Sequence, residues 1–279
     1  MTTTYAQTQG MRLIRAVAEA NGPIFTLEQA REQAKPLGIS LRNVPQTLSK
    51  LVRAGWIARL KRGVYVLQPP FADAPQHPFA LATALVSPVA ISHWSALVHH
   101  GLTTQIPMMV QASTPKKVVT PEMRHGVAYA PRGHPVWRAL DVEIEFFHTP
   151  VKHFFGFQDV WVSRWNRVPI TDPERTLLDM VAHPARFGGT AFAIETLAAH
   201  HTSLDIPSLT SYALQYGVVA VIKRLGWILE NLGGNADTLR PLLEYPVHSR
   251  YLLDPRRSPK GISIPQWHLV NNLLEASHD

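Results

Sequence analysis

The stretch ISLRNVPQTLSKLVRAGWIARLKRGVYVL, residues 39–67, runs an amphipathic helix directly into a basic hairpin. Val44, Leu48, Leu51 and Val52 recur at helical spacing and form an inward stripe, while Gln46, Thr47, Lys50 and Arg53 point outward together. Ser40 or Asn43 can cap the helix, Pro45 is tolerated in its first turn, and Gly55 ends it. Ile57, Arg59 and Lys61 then alternate with Ala58 and Leu60, the chain turns at Arg62-Gly63, and Val64 to Leu67 return as a second strand. Pro69-Pro70 cannot continue the ladder.

Working outward toward the N-terminus, the spacing predicts a helix from Thr8 to Ala20 that buries Leu13, Ile14 and Val17 and stops at Asn21-Gly22. Thr26 and Gln29 form a capping-box pattern for a second helix, whose Leu27, Ala30 and Ala34 share one face until Pro36 and Gly38. Three short helices followed by a hairpin is the order of a winged helix-turn-helix. In that arrangement the third helix enters a DNA major groove, which is about 12 Å wide, and the hairpin lies near the adjacent backbone. Gln46, Thr47 and Lys50 are then the candidate base readers. Arg42, Arg53, Arg59, Lys61 and Arg62 are the candidate phosphate contacts, which supply affinity but little sequence information.

A basic hairpin can also be merely solvated, and the placement of charge decides between the two readings. The chain has 279 residues and a formal charge of +7, but residues 1–67 hold ten Lys/Arg against three Asp/Glu, and the remainder holds seventeen of each. All the excess positive charge therefore lies in the first quarter, as expected of a polyanion-facing module on a neutral body. The chain has no cysteine, which excludes disulfides, thiolate nucleophiles and cysteine metal ligands and permits a cytoplasmic location. Its first residues lack the apolar core of a signal peptide, and no later run approaches a membrane span.

Residues 68–80, QPPFADAPQHPFA, are too proline-rich to continue either element. The expected organisation is a DNA-binding domain over 1–70, a connection over 71–80 and an α+β body over 81–279. Within the body, helices are expected from Pro78 to Leu85 and through ISHWSALVHHG, with Ser92 a cap candidate. IPMMVQAST, GVAYAP, VEIEFFHTP and FQDVWVSRWNRVPI then read as strands of a mostly antiparallel sheet. Phe146, Phe147, Phe154, Phe155, Phe157, Trp161 and Trp165 are assigned to a sheet–helix core rather than to a ligand platform. Helices resume at PITDPERTLLDM, where Asp172 caps, Pro173 opens the helix and Arg175 pairs with Asp179, and continue over 192–200, 207–216 and 218–232. The tail reads as turn-rich before a short closing element.

Two groups of residues invite a chemical reading. His93, His99 and His100 suggest a metal, but they have no familiar ligand spacing, so no metal or cofactor is expected. Asp141, Glu143 and Glu145, with Lys152 nearby, suggest a metal-dependent nuclease guided to DNA by the basic module. A period of two is equally expected of a strand's solvent face, and no catalytic residue is assigned.

The ordered set AGWIARLKRGVYV, ISHWSALVHHGL, ITDPERTLLDMVAHPARFGG, VIKRLGWILENLG and LLDP…GISIPQWHLVNN resembles the AbiEi family, the antitoxins and transcriptional regulators of abortive-infection, type IV toxin–antitoxin systems. The resemblance implies a cytoplasmic, non-enzymatic protein that binds inverted repeats in its own promoter as double-stranded DNA, with a dimer on that DNA a further possibility. It also implies a second domain that counters a nucleotidyltransferase-like toxin, with or without a direct complex. Lys50, Arg53, Arg59, Lys61 and Arg62 match the family's basic region. Thr171, Asp172, Glu174, Arg175 and Asp179 match its central helix-start motif, for which the structural reading is retained.

Overall fold

The computed structural model describes residues 2–72, 75–126 and 133–273, so GVAYAP, apart from Gly126, lies outside the described residues. The chain begins α1 (Thr2–Asn21), β1 (Ile24–Thr26), α2 (Leu27–Ala34), α3 (Val44–Arg53), β2 (Ile57–Lys61) and β3 (Val64–Leu67). It continues α4 (Pro78–Leu85), β4 (Ala90–Ile91), α5 (His93–His99), β5 (Val110–Thr114), α6 (Pro121–Arg124), β6 (Val136–Ala139), β7 (Val142–His148), β8 (Phe157–Trp161) and β9 (Arg167–Thr171). Helices α7 (Pro173–Ala182), α8 (Thr190–His200), α9 (Ile206–Tyr216), α10 (Val219–Asn231) and α11 (Ala236–Leu243) follow, then β10 (Tyr251–Leu252), β11 (Ile262–Ile264) and β12 (Leu269–Asn271). The protein is α+β. It divides into two compact units, one of Met1–Val89, Lys116–Phe147 and Asp159–Val168, the other of Ala90–Pro115, His148–Gln158 and Pro169–Asp279.

In the first unit, α1 buries Leu13, Ile14 and Val17 against Ala30 and Ala34 of α2 and Val44, Leu48 and Leu51 of α3. Each large aliphatic side chain removed from water in this way contributes about 1.5–3 kcal/mol. The capping box forms as the sequence requires: Thr26 Oγ1 accepts from the Gln29 amide at 3.2 Å, and Gln29 Oε1 accepts from the Thr26 amide at 2.7 Å. Strand β1 was not anticipated, because three residues are too few to show a period. It pairs antiparallel with β3, which also pairs antiparallel with β2, giving the order β1-β3-β2. Gly63 supplies the positive φ of 76° that the hairpin turn needs. The pairing slips between Arg59 and Lys61, so the simple alternation expected for β2 is interrupted there and Leu60 is buried. Later in this unit, β6 and β7 form an antiparallel hairpin in which Val136 faces Glu145 and Ala139 faces Val142.

The second unit is helical at its centre. Leu177, Leu178 and Met180 of α7 pack with Leu197 of α8, Leu209 and Ala213 of α9 and Ile222 and Leu225 of α10 in one buried cluster. Strand β4 pairs antiparallel with β5 and parallel with β9 through Ile91 and Ile170, so the predominantly antiparallel expectation meets a parallel pair. A small sheet of order β10-β12-β11 forms in the tail, where turns before one short closing element were expected. Helix α11 was also not anticipated, since Pro241 stands inside it. The Asn235 side chain starts the helix by accepting from the Asp237 and Thr238 amides. At its other end, Lys223 of α10 is fully buried and donates to the Leu242 and Leu243 carbonyls at 3.1 and 2.7 Å, placing positive charge at the negative helix terminus.

The aromatic residues divide. Phe146 and Phe147 are buried, but Trp161 is 64% exposed and does not fill a core.

Candidate nucleic-acid interface

Helix α3 is held by its buried stripe, Val44, Leu48 and Leu51, which turns Gln46, Ser49, Lys50 and Arg53 to the opposite, exposed side. Thr47 sits on the flank, half-buried, with its hydroxyl donating to the Asn43 carbonyl at 3.0 Å. Asn43 occupies the cap position without a side-chain capping bond. Arg42, just before it, is exposed.

Pro45 and Ser49 of α3, the start of α2, and Arg59, Arg62 and Tyr65 of the hairpin line one concave surface of about 550 Å³. Arg59 and Arg62 are both exposed. Arg59 is steered by its Nε, which donates to the Lys61 carbonyl at 3.3 Å. Glu28, the carboxylate among the lining residues, is engaged by Arg31 at 2.7 Å. The concavity therefore presents guanidinium groups beside the first turn of a helix, whose dipole favours negative charge.

Lys61 stands apart from its neighbours. It is half-buried, and its ammonium donates to the Leu85 carbonyl at 2.7 Å, at the end of α4. Burial first, and then the Lys116 charge, lower its pKa from the ordinary value. The slip in register carries Lys61 away from the side shared by Arg59 and toward α4. Ser49 was not singled out in the sequence, yet it lies on the exposed face and lines the concavity. Its position four residues after Pro45 was the available signal.

The other motif residues build the second unit. Asp172 caps α7 by accepting from the Arg175 amide at 2.7 Å, and also accepts from the Tyr212 hydroxyl at 2.7 Å. That bond, after burial, pushes the tyrosine pKa up to about 12. Thr171 and Thr176 share a buried hydroxyl contact of 2.8 Å, and Glu174 accepts from the Asp205 amide at 2.9 Å. Arg175 and Asp179 form a pair at 2.9 Å, with side chains 4% and 6% exposed.

Asp141, Glu143 and Glu145 do not converge: Asp141 is exposed beside the β6–β7 turn, Glu143 pairs with Arg138 at 2.8 Å, and Glu145 is buried. His100 donates to the Thr171 carbonyl at 2.7 Å, while His93 is buried under Phe187. No group of three or more His, Cys, Asp or Glu among the described residues is arranged to hold a metal ion, and no described helix is long and apolar enough to cross a membrane.

Residues 12–68 match a family model described as transcriptional regulator, AbiEi antitoxin. The crystal structure of the RV2827C protein from Mycobacterium tuberculosis is similar over 95% of this chain and 92% of that one, with a TM-score of 0.63 and 18% identity, a likeness of fold alone. A search of curated proteins found no match.

Proposed function

We propose that residues 1–70 form a winged helix-turn-helix that binds double-stranded DNA, and that the protein is the autorepressor and antitoxin of a toxin–antitoxin pair. The observation that carries this reading is the continuous surface made by the outer face of α3 and the arginine-lined concavity beside it. Within it, α3 enters the major groove and Gln46 and Lys50 reach base edges, with Ser49 at the margin. Arg42, Arg53, Arg59 and Arg62 neutralise phosphates. Thr47, whose hydroxyl is already spent on its own helix, supports the helix rather than reading bases. Lys61 anchors the hairpin instead of meeting the backbone. The family match over residues 12–68 supports the regulatory role and the antitoxin role together.

Two copies on an inverted repeat in the chain's own promoter give the expected operator complex, with half-sites about 34 Å apart or a multiple of that. The partner to be neutralised is a nucleotidyltransferase-like toxin, a role assigned to the body beyond the 71–80 connection. Phe71 and Ala72 pack into the first core, so any separated DNA-binding fragment must extend past residue 72.

The test is a salt series on the full chain with its promoter fragment and a scrambled duplex, from about 50 to about 200 mM. The double variant Arg59→Ala/Arg62→Ala is expected to weaken binding to both duplexes and to flatten the salt slope by about two units. A folded double variant with an unchanged slope would remove the assignment.

A further inference from the structure

The second unit carries a pocket of about 320 Å³ where four helix ends meet: the turn after α8, the start of α9, the end of α10 and the start of α11. Leu229, only 1% exposed, and Leu232 line it from α10, and Ile206 and Pro207 line it from α9. Among the described lining residues there is no Asp, Glu, Lys or Arg. A charged molecule would give up its hydration here without gaining an ion partner, so the pocket suits a neutral one.

The opening exists because the joint between α10 and α11 has no side chains. Gly233 turns the chain at a φ of 81°, and a Cβ built on it would meet nothing within 4 Å, so the space above it is empty. Gly234 is constrained in the opposite sense. A Cβ there would lie 2.8 Å from the Leu229 carbonyl oxygen and 2.9 Å from Leu239 Cδ1, so glycine is what lets α11 begin this close to the end of α10. The Gly234 amide donates to the same Leu229 carbonyl at 2.9 Å and closes the helix.

One polar atom gives the pocket its chemical preference. On the α11 side, Asn235 Oδ1 is committed to the Asp237 and Thr238 amides at 2.9 and 3.2 Å. His201, on the α8 side, has Nδ1 2.7 Å from the Ala198 carbonyl, and a carbonyl only accepts, so Nδ1 carries the proton. In the neutral ring Nε2 is therefore an acceptor, and no described residue donates to it. The hydrogen-bonding atom that His201 still has to offer is thus an acceptor of fixed tautomer beside apolar walls.

We propose that this pocket binds a neutral molecule of one or two rings that carries a single hydrogen-bond donor, of the phenol or indole kind, with the donor on His201 Nε2. An apolar cavity of about 150 Å³ is enough for benzene, so this larger space admits a second ring. A rigid ring also loses less conformational freedom on binding than a flexible chain of the same size. A ring without a donor would cover Nε2 and leave it unpaired, which is the basis of discrimination. The site lies within the second unit and does not rest on the DNA-binding assignment.

Two isosteric pairs, phenol with toluene and indole with indene, test the proposal when titrated into the full chain at about pH 8, where imidazoles are ordinarily neutral. Binding is followed by calorimetry and by the amide chemical shifts of Gly233 and Gly234. Phenol and indole are expected to bind saturably, to move both glycine amides, and to bind at least about fivefold tighter than their partners. A purely apolar pocket gives the reverse order, since toluene and indene are the more hydrophobic members. His201→Phe, which keeps a ring but removes the acceptor, should abolish the preference for the donors while toluene still binds. Leu232→Trp, which leaves His201 untouched, should fill the pocket and abolish binding of all four. Lack of saturable binding by phenol and indole, toluene binding as tightly as phenol, or an undiminished phenol preference in folded His201→Phe would each overturn it.

Discussion

Arg175→Met tests whether the TDPERTLLD segment is a structural lock. Methionine keeps most of the volume but removes the bonds from Nε and Nη2 to Asp179 Oδ1, at 3.1 and 2.9 Å, and both bonds from Nη1 to the His153 and Phe155 carbonyls. Asp179, its side chain 6% exposed, is left as a buried carboxylate without its cation. Removing one partner of such a pair costs about 3–5 kcal/mol, mostly through the stranded charge. Each abandoned carbonyl that finds no substitute adds about 1 kcal/mol or more. Against a typical domain stability of about 5–15 kcal/mol, this is a large fraction. Equilibrium urea unfolding followed by circular dichroism measures the loss. The double variant Arg175→Met/Asp179→Leu, which removes the stranded charge as well, should recover about half of the loss or more. A single variant within about 1 kcal/mol of wild type, or a double variant no better than the single, would show that the pair does not hold the segment before β8 onto α7.

Gly226→Ala should destabilise by about 1–3 kcal/mol in the same assay, despite alanine's better helix propensity, because its Cβ would lie 2.1 Å from Cζ3 of the buried Trp267. The loss should vanish in a Trp267→Leu background. His183 has a folded pKa of about 4 against 6.5 for the free side chain, so the unfolded chain takes up the proton first and stability is lost as pH falls through that window. Between about pH 7.5 and pH 5 the expected loss from this residue is about 2 kcal/mol, and His183→Gln should flatten the unfolding midpoint over that range. Gln46→Ala and Lys50→Ala should each reduce the preference for promoter over scrambled duplex by about 1–3 kcal/mol while leaving scrambled binding less affected. Equal losses on both duplexes in an anisotropy titration would move the reading face elsewhere.

What could be read from the sequence was what rests on neighbours along the chain. Leu13, Ile14 and Val17, the Thr26–Gln29 capping box and the Asp172 cap with Pro173 behind it are local patterns, and each is found where its spacing places it. Strand β1 has no such pattern, since its three residues form a strand only because β3 offers a partner. Helix α11 defies its own Pro241 because the Asn235 cap and buried Lys223 satisfy its two ends. The exposure of Gln46, Lys50, Arg53, Arg59 and Arg62 was legible, as these residues share one helix and one hairpin. The fate of Lys61 was not, because it depends on a carbonyl 24 residues away. The gathering of Ser113, His153 and Arg186 around one cavity was invisible for the same reason, since they come together only through the packing of β5, the segment after β7 and the turn beyond α7.

The tie between Lys61 and the Leu85 carbonyl has a kinetic consequence. A hairpin with free ends loses conformational entropy when a partner orders it, and its association is slowed by the search for the bound shape. Here the tip of the hairpin is pinned to α4 through Lys61, beside a turn that spans only Arg62 and Gly63, so the ordering is completed when the unit folds. Arg59 and Arg62 then arrive at any polyanion in a set geometry, and the rate of capture is governed by electrostatic encounter rather than by rearrangement.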